Sequence, residues 1–186
     1  MQRTWREHHD GNVDGSSAGC SDCHLPRTDD GNGKSHRRHD FPGGYDPQMV
    51  RRSLRITARR TGPSSVEITL QPGDVTHAVP TGDLFRRLAL SAQTIGLHPS
   101  KSVRYLARHH RDVGRGMRVE VDDDRPRVRA SVVTLDLGAN AGQSPIEYRV
   151  SYQRVDQLLG NDEARAVVLG EIELAAGVLQ AAGTQQ

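Results

Sequence analysis

The chain holds only two cysteines and one tryptophan, and aromatic residues make up 4% of its 186 positions. With so few rings, any core must be built from Val, Leu, Ile and Ala. No apolar run approaches the roughly 20 residues of a membrane helix, so no span is expected within this chain. An excess of one charge is missing as well: 25 Lys and Arg stand against 23 Asp and Glu, a net charge of +2. That gives no electrostatic footprint for nucleic acid. The positive charge is nearly all arginine and scattered, as at Arg51, Arg52, Arg59, Arg60, Arg86 and Arg87, which is the pattern of a solvated face between apolar positions. Internal repeats, Ser-His-Asp spacings and paired carboxylates are not recognisable. The opening "MQRTWREHHDGNVDG" lacks the apolar segment and small-residue cleavage site of a signal peptide.

What is present divides at about residue 50. Residues 1–49 are rich in Gly, Asp, His, Ser and Arg and read as a loop-dominated segment without a core of its own. Residues 50–186 have a period of two. Leu54, Ile56 and Ala58 alternate with charged or polar residues, then the turn "RTGPSS" leads to Val66, Ile68 and Leu70, which predicts a hairpin. Alternation returns at Leu88–Ala92, at Met117–Val121, in "VRASVVTLDL", in "IEYRVSYQRV" and in "ARAVVLGEIEL". Helix is expected around "SVRYLARHHR" and "RVDQLLGNDEAR". The fold class is therefore mainly β: a loop-rich N-terminal segment followed by an antiparallel β-sandwich.

The chemistry gathers in "AGCSDCHLPR", residues 18–27. Cys-x-x-Cys-His is the attachment sequence of c-type haem. Sulfurs of Cys20 and Cys23 would reach the two vinyl groups as thioethers, and His24 would supply the proximal nitrogen. A ligand carried on the covalent tether needs little folded protein around it, which suits residues 1–49. Three other readings exist for the pair. A Cys20–Cys23 disulfide would close a small ring and stabilise little. A redox dithiol would need a βαβ setting that the pattern does not provide. Zinc is the serious rival: Cys20, Cys23, His36 and His39 approximate a Cys2His2 site, but two residues separate the histidines where a finger has about three to five. "HLPRTDDGNGKS" also lacks a finger's apolar helical period.

Three stretches in order, "CSDCHLP", "RHDFPGGYD" and "THAVPTGDLFRRL", resemble the C-terminal part of bacterial multihaem c-type cytochromes. The likeness spans about residues 18–90, with a weaker echo in "DDDRPRV" and "IEYRVSYQRV". Thr76 stands where the family usually has glycine. The resemblance implies one covalent haem c with bis-histidine iron, and electron transfer to redox partner proteins or other haem domains rather than catalysis. It also implies maturation after export, hence a periplasmic or outer-surface location, and a longer parent with further haem sites upstream of this chain. For the ligand opposite His24, His39 ranks first because it opens the family-like "HDFPGG". His77 ranks second, on a corner set by Pro80 and Gly82, where it could also serve another haem. Metal ligands are thus expected at His24, His39 and His77, and haem attachment at Cys20, Cys23 and His24. The competing expectation is a haemless β-sandwich scaffold domain.

Other features read more plainly. His8–His9 and His109–His110 are expected to be exposed, and Asp122–Asp124 to form a solvated turn, because the ladder of oxygen ligands for calcium is missing. Phe41, Tyr45 and Trp5 are candidates to pack on a porphyrin edge.

Overall fold

The computed structural model describes residues 3–11, 19–82, 85–115, 117–142, 144–157 and 163–181. Helix α1 (Thr4–Gly11) and the single turn α2 (Cys20–His24) come first, followed by a short hairpin, β1 (Arg27–Asp29) and β2 (Ser35–Arg37). Helix α3 (Pro47–Arg52) leads into the β domain. There β3 (Leu54–Arg60), β4 (Ser65–Pro72) and β9 (Ser131–Asp136) form one antiparallel sheet with β4 central. A second sheet has the order β11-β10-β5-β6, from β5 (Arg86–Thr94), β6 (Lys101–Leu106), β10 (Ile146–Gln157) and β11 (Val167–Leu179). The hairpin β7 (Arg108–Asp112) and β8 (Arg118–Asp123) stands apart.

The mainly-β, antiparallel class expected from the alternation is the class observed. In β4, Val66, Ile68 and Leu70 are wholly buried while their neighbours face outward. Ile56 pairs with Leu70 across the first hairpin, and Val150 pairs with Leu90 in the second sheet. One apolar cluster takes Val66, Ile68, Leu70 and Leu135 from the first sheet, and Leu88, Leu90, Leu106, Ile146 and Val150 from the second. The two sheets therefore share a single core, as the facing layers of a sandwich do.

Two local expectations are corrected. "SVRYLARHHR" is not helical: it forms β6 and β7, because Leu106 pairs with Leu88 and sits in the core. Leucine, alanine and arginine favour helix locally, but pairing along β5 outweighs that preference. "RVDQLLGNDEAR" continues β10 to Gln157, and Glu163–Arg165 form a 3-10 turn; residues 158–162 lie outside the described residues. The alternation at Met117, Val119 and Val121 does make a strand, but all three side chains are exposed rather than in the core.

Candidate functional site

Cys20 and Cys23 lie one helical turn apart on α2, which places them on the same face, and both thiols are free and exposed. The turn is pinned at both ends. The Asp22 carboxylate accepts the Gly19 N–H at 2.9 Å. Arg37, reaching across from β2, donates to Asp22 at 2.6 Å and to the Ser21 and Leu25 carbonyls at 2.6 and 3.1 Å. The Arg37 hydrogen bond, helped by the Gly19 amide, holds the Asp22 carboxyl below its ordinary pKa. A segment without apolar filling is thus tied to its hairpin by one guanidinium.

His24 follows the second cysteine. Its Nδ1 hydrogen-bonds the Pro42 carbonyl at 2.6 Å, and the Phe41 ring stacks on it with centroids 4.8 Å apart and planes 10° apart. Phe41 sits at φ 43°, a left-handed conformation that costs an L-residue about 1–2 kcal/mol. The turn behind it is seated closely: Gly44 passes so near the Tyr152 hydroxyl and Arg86 that a Cβ there would collide with both. Tyr45, although exposed, lies under the Arg154 guanidinium at 4.2 Å.

Facing His24 is His77. Their ring centroids are 6.3 Å apart and their planes within 19° of parallel. His77 Nδ1 hydrogen-bonds the Ala78 carbonyl at 3.0 Å. A carbonyl can only accept, so in both imidazoles Nδ1 carries a proton and Nε2 is the nitrogen not spent on that bond. Among the described residues neither Nε2 has a hydrogen-bond partner. Burial pushes the His77 pKa down and the nearby His24 and His8 push the same way, outweighing the Ala78 carbonyl and Glu7. His77 is therefore neutral at pH 7, the state a metal requires of imidazole.

The corner that bears His77 is held from outside the sheets. α1 docks on it: His8 bonds the Thr76 hydroxyl, Thr4 bonds the Thr81 hydroxyl at 2.9 Å, and Thr81 donates to Glu7 at 2.8 Å. Gly11 closes the helix where a Cβ would strike the Thr76 carbonyl. Behind the corner, the Val79 N–H donates to the Pro126 carbonyl at 3.0 Å, and Arg125 donates to the Pro80 carbonyl at 2.6 Å.

The other expected ligands stand elsewhere. His36 is on β2 opposite Thr28, exposed, and His39 is exposed in the loop beyond it. Among the described residues the rings that pack on His24 are those of Phe41 and His77. Cys20, Cys23, His36 and His39 are not gathered, and no three His, Cys, Asp or Glu side chains among the described residues stand together as a metal cluster. Trp5 is exposed beside His9, with ring centroids 5.5 Å apart.

Sequence reasoning missed Glu7, Arg125 and the surroundings of His109. His109 is not an exposed histidine: it bridges Glu163 at 2.5 Å and Asp124 at 2.8 Å. Nor is the aspartate run a solvated turn, since Asp123 and Asp124 are largely covered and paired with Arg125 and with His109. The acidic run followed directly by "RPR" was the available signal. No family model, no curated protein and no solved structure matches this chain.

Proposed function

We propose that this chain carries electrons through one covalent haem c, tethered by Cys20 and Cys23 and ligated by His24 on one side and His77 on the other. The observation that carries the reading is the His24–His77 pair. The two rings stand next to each other, with centroids 6.3 Å and planes 19° apart, and each spends Nδ1 on a backbone carbonyl, so that Nε2 is the nitrogen left to hold an iron. Both thiols that would form thioethers are free, exposed and adjacent to one of these rings. When bound, haem supplies one-electron redox chemistry at its iron.

The protein's own groups set the conditions for that chemistry. The Pro42 and Ala78 carbonyls fix each imidazole's tautomer and direction. Phe41 shields one face of His24 from water. With His24 and His77 both holding the iron, no coordination site would be open to a substrate, and the role would be transfer rather than catalysis. The geometry favours His77 over His39 as the second ligand. Together with the family resemblance, the site points to a place within a larger multihaem cytochrome, loaded after export, in the periplasm or at the outer surface. Its partners would be other haem domains or redox proteins.

The test is co-expression of the full chain, behind an export signal, with a cytochrome maturation system. A pyridine haemochrome spectrum should report one covalent haem, and the resting spectrum should be six-coordinate and low-spin. His77→Ala should turn it high-spin and open to carbon monoxide, while His39→Ala leaves it low-spin. Folded protein without covalent haem, or with one equivalent of zinc and no Soret band, overturns the haem reading. A low-spin His77→Ala variant overturns the ligand assignment.

A further inference from the structure

Given His77 as the axial partner of His24, as proposed above, we infer that Arg125 is the residue that positions His77, with Glu7 of α1 completing the hold. The Arg125 side chain is 2% exposed. Its Nε donates to Asp123 at 2.8 Å, one terminal nitrogen to the Pro80 carbonyl at 2.6 Å, and the other to Glu7 at 2.6 Å and Asp123 at 2.8 Å. The second Glu7 oxygen accepts the Thr81 hydroxyl at 2.8 Å. One guanidinium therefore links the strand end after β8, the His77 corner and α1.

The corner has little freedom left. Ala78 and Val79 are buried in the domain, the Val79 amide is bonded to Pro126, the Pro80 carbonyl to Arg125, and Thr81 to Glu7. The carbonyl that orients His77 belongs to Ala78, inside this stretch. Moving Pro80 or Thr81 therefore turns the His77 ring. Three acceptors in different directions call for a planar fork, which lysine's single ammonium does not offer.

A stability role alone explains the arrangement poorly. Buried ion pairs return little net stability, because desolvation cancels most of the attraction. Glu7 and Asp123, 8% and 14% exposed, nonetheless both pair with this cation, Asp123 sharing itself with Arg127. What the network adds to the Thr4–Thr81 and His8–Thr76 bonds is a charged link that ties α1, which has no buried residue, to the histidine's corner and to the end of β8 at once. The segment preceding the Cys-x-x-Cys-His motif is then part of the ligand's support.

The experiment uses the full-length haem-loaded chain. Arg125→Met keeps the aliphatic stem and removes the fork. Covalent haem content should stay unchanged, while the ligation constant of His77 falls about 10-fold to 100-fold, the usual cost of losing a group that holds a metal's ligand. This reads out as a high-spin fraction and carbon monoxide binding. Added imidazole should restore the low-spin spectrum, and Arg125→Lys should lie between. In a His77→Ala background Arg125→Met should change the spectrum no further, because it acts through His77; additive spectral changes overturn the inference. So does a low-spin Arg125→Met protein that ignores carbon monoxide. Should Arg125→Met fail to fold, Glu7→Gln probes the same network from α1. It should shift the spectrum the same way by less, and an unchanged spectrum in folded Glu7→Gln overturns the inference equally. A wild-type protein that is itself haemless or high-spin overturns the His24–His77 reading and this inference together. A low-spin wild type with unaffected variants overturns this inference alone.

Discussion

Val66, Ile68, Leu70, Leu88 and Leu90 are wholly buried between the two sheets, whereas no described apolar residue before Val50 is in the core. The β domain is held by apolar area removed from water. The segment that carries Cys20, Cys23 and His24 is held by directed polar bonds: Arg37 on α2, Pro42 on His24, and Thr4, Glu7 and His8 on the domain's corner. Each such bond is worth about 1 kcal/mol net, so the segment depends on the domain for its order and not the reverse. A covalent cofactor would supply what this segment lacks, a large apolar body on which to fold. The difference teaches where to look for effects: packing changes should cost stability, and changes in the segment should cost ligation.

The largest expected effect lies in the core. Leu90, on β5 between β10 and β6, has no exposed surface. Leu90→Ala should cost about 3 kcal/mol by loss of burial plus a residual cavity. At about 2–4 °C per kcal/mol for a chain this size, Tm should fall by roughly 6–12 °C. The measurement belongs on haem-free protein, by circular dichroism. A Tm within a degree of wild type would mean that the sheets are not what holds the molecule, and the comparison above would break.

The β strands were legible because period-two patterning is a property of neighbouring residues. Val66, Ile68 and Leu70 announce their face with no knowledge of the partner strand. The Cys-x-x-Cys-His motif was legible for the same reason, since its geometry is local. The pairing of His24 with His77 was not, because 53 positions separate them (77 − 24) and only docking of the corner brings their rings together. His39 ranked ahead because it opens the family-like "HDFPGG", a local signal, whereas the histidine ring that stands beside His24 is that of His77, which no local pattern announces. Glu7 and Arg125 were illegible for a further reason. A charged residue in sequence reads as solvated, and only tertiary structure supplies the partners that let it be covered. The failed helix in "SVRYLARHHR" has the same cause, with a core position at Leu106 deciding over local preference.

His109 offers the next test, on the side of the domain where ion pairs rather than packing secure a loop. Hydrogen bonds to Asp124 and then Glu163 raise its pKa to about 10, against a smaller opposing effect of burial. Asp124 is lowered: burial works against this, but the His109 and Ala107 hydrogen bonds prevail. The imidazolium's folded pKa lies above the unfolded 6.5. Its contribution is therefore complete below pH 6.5 and declines as pH rises towards about 10. With allowance for solvent screening it should be about 2 kcal/mol at pH 6. His109→Gln should lower Tm most near pH 6, and the gap to wild type should close by about pH 10. A gap independent of pH would show that the charge is not what holds Glu163.

The smallest expected effect falls at the joint between the two regions. Asp46 caps α3, its carboxylate accepting the Gln48 and Met49 amides at 2.8 and 3.1 Å, with Pro47 opening the helix. Upstream, the same loop presents the Pro42 carbonyl to His24. Downstream, α3 delivers Val50 to the core, and Arg51 bonds the Glu173 carbonyl of β11 at 3.1 Å. Removing such a cap costs about 1 kcal/mol, so Asp46→Ala should lower Tm by roughly 2–4 °C. If the polar segment is ordered by its own bonds to α2 and to the corner, the haem-loaded Asp46→Ala protein keeps a full low-spin spectrum despite this loss. A high-spin fraction would mean that the cap's disorder travels back through Asp46 to the Pro42 carbonyl. Order at His24 would then be borrowed through the chain itself rather than through the contacts of α1 and Arg37.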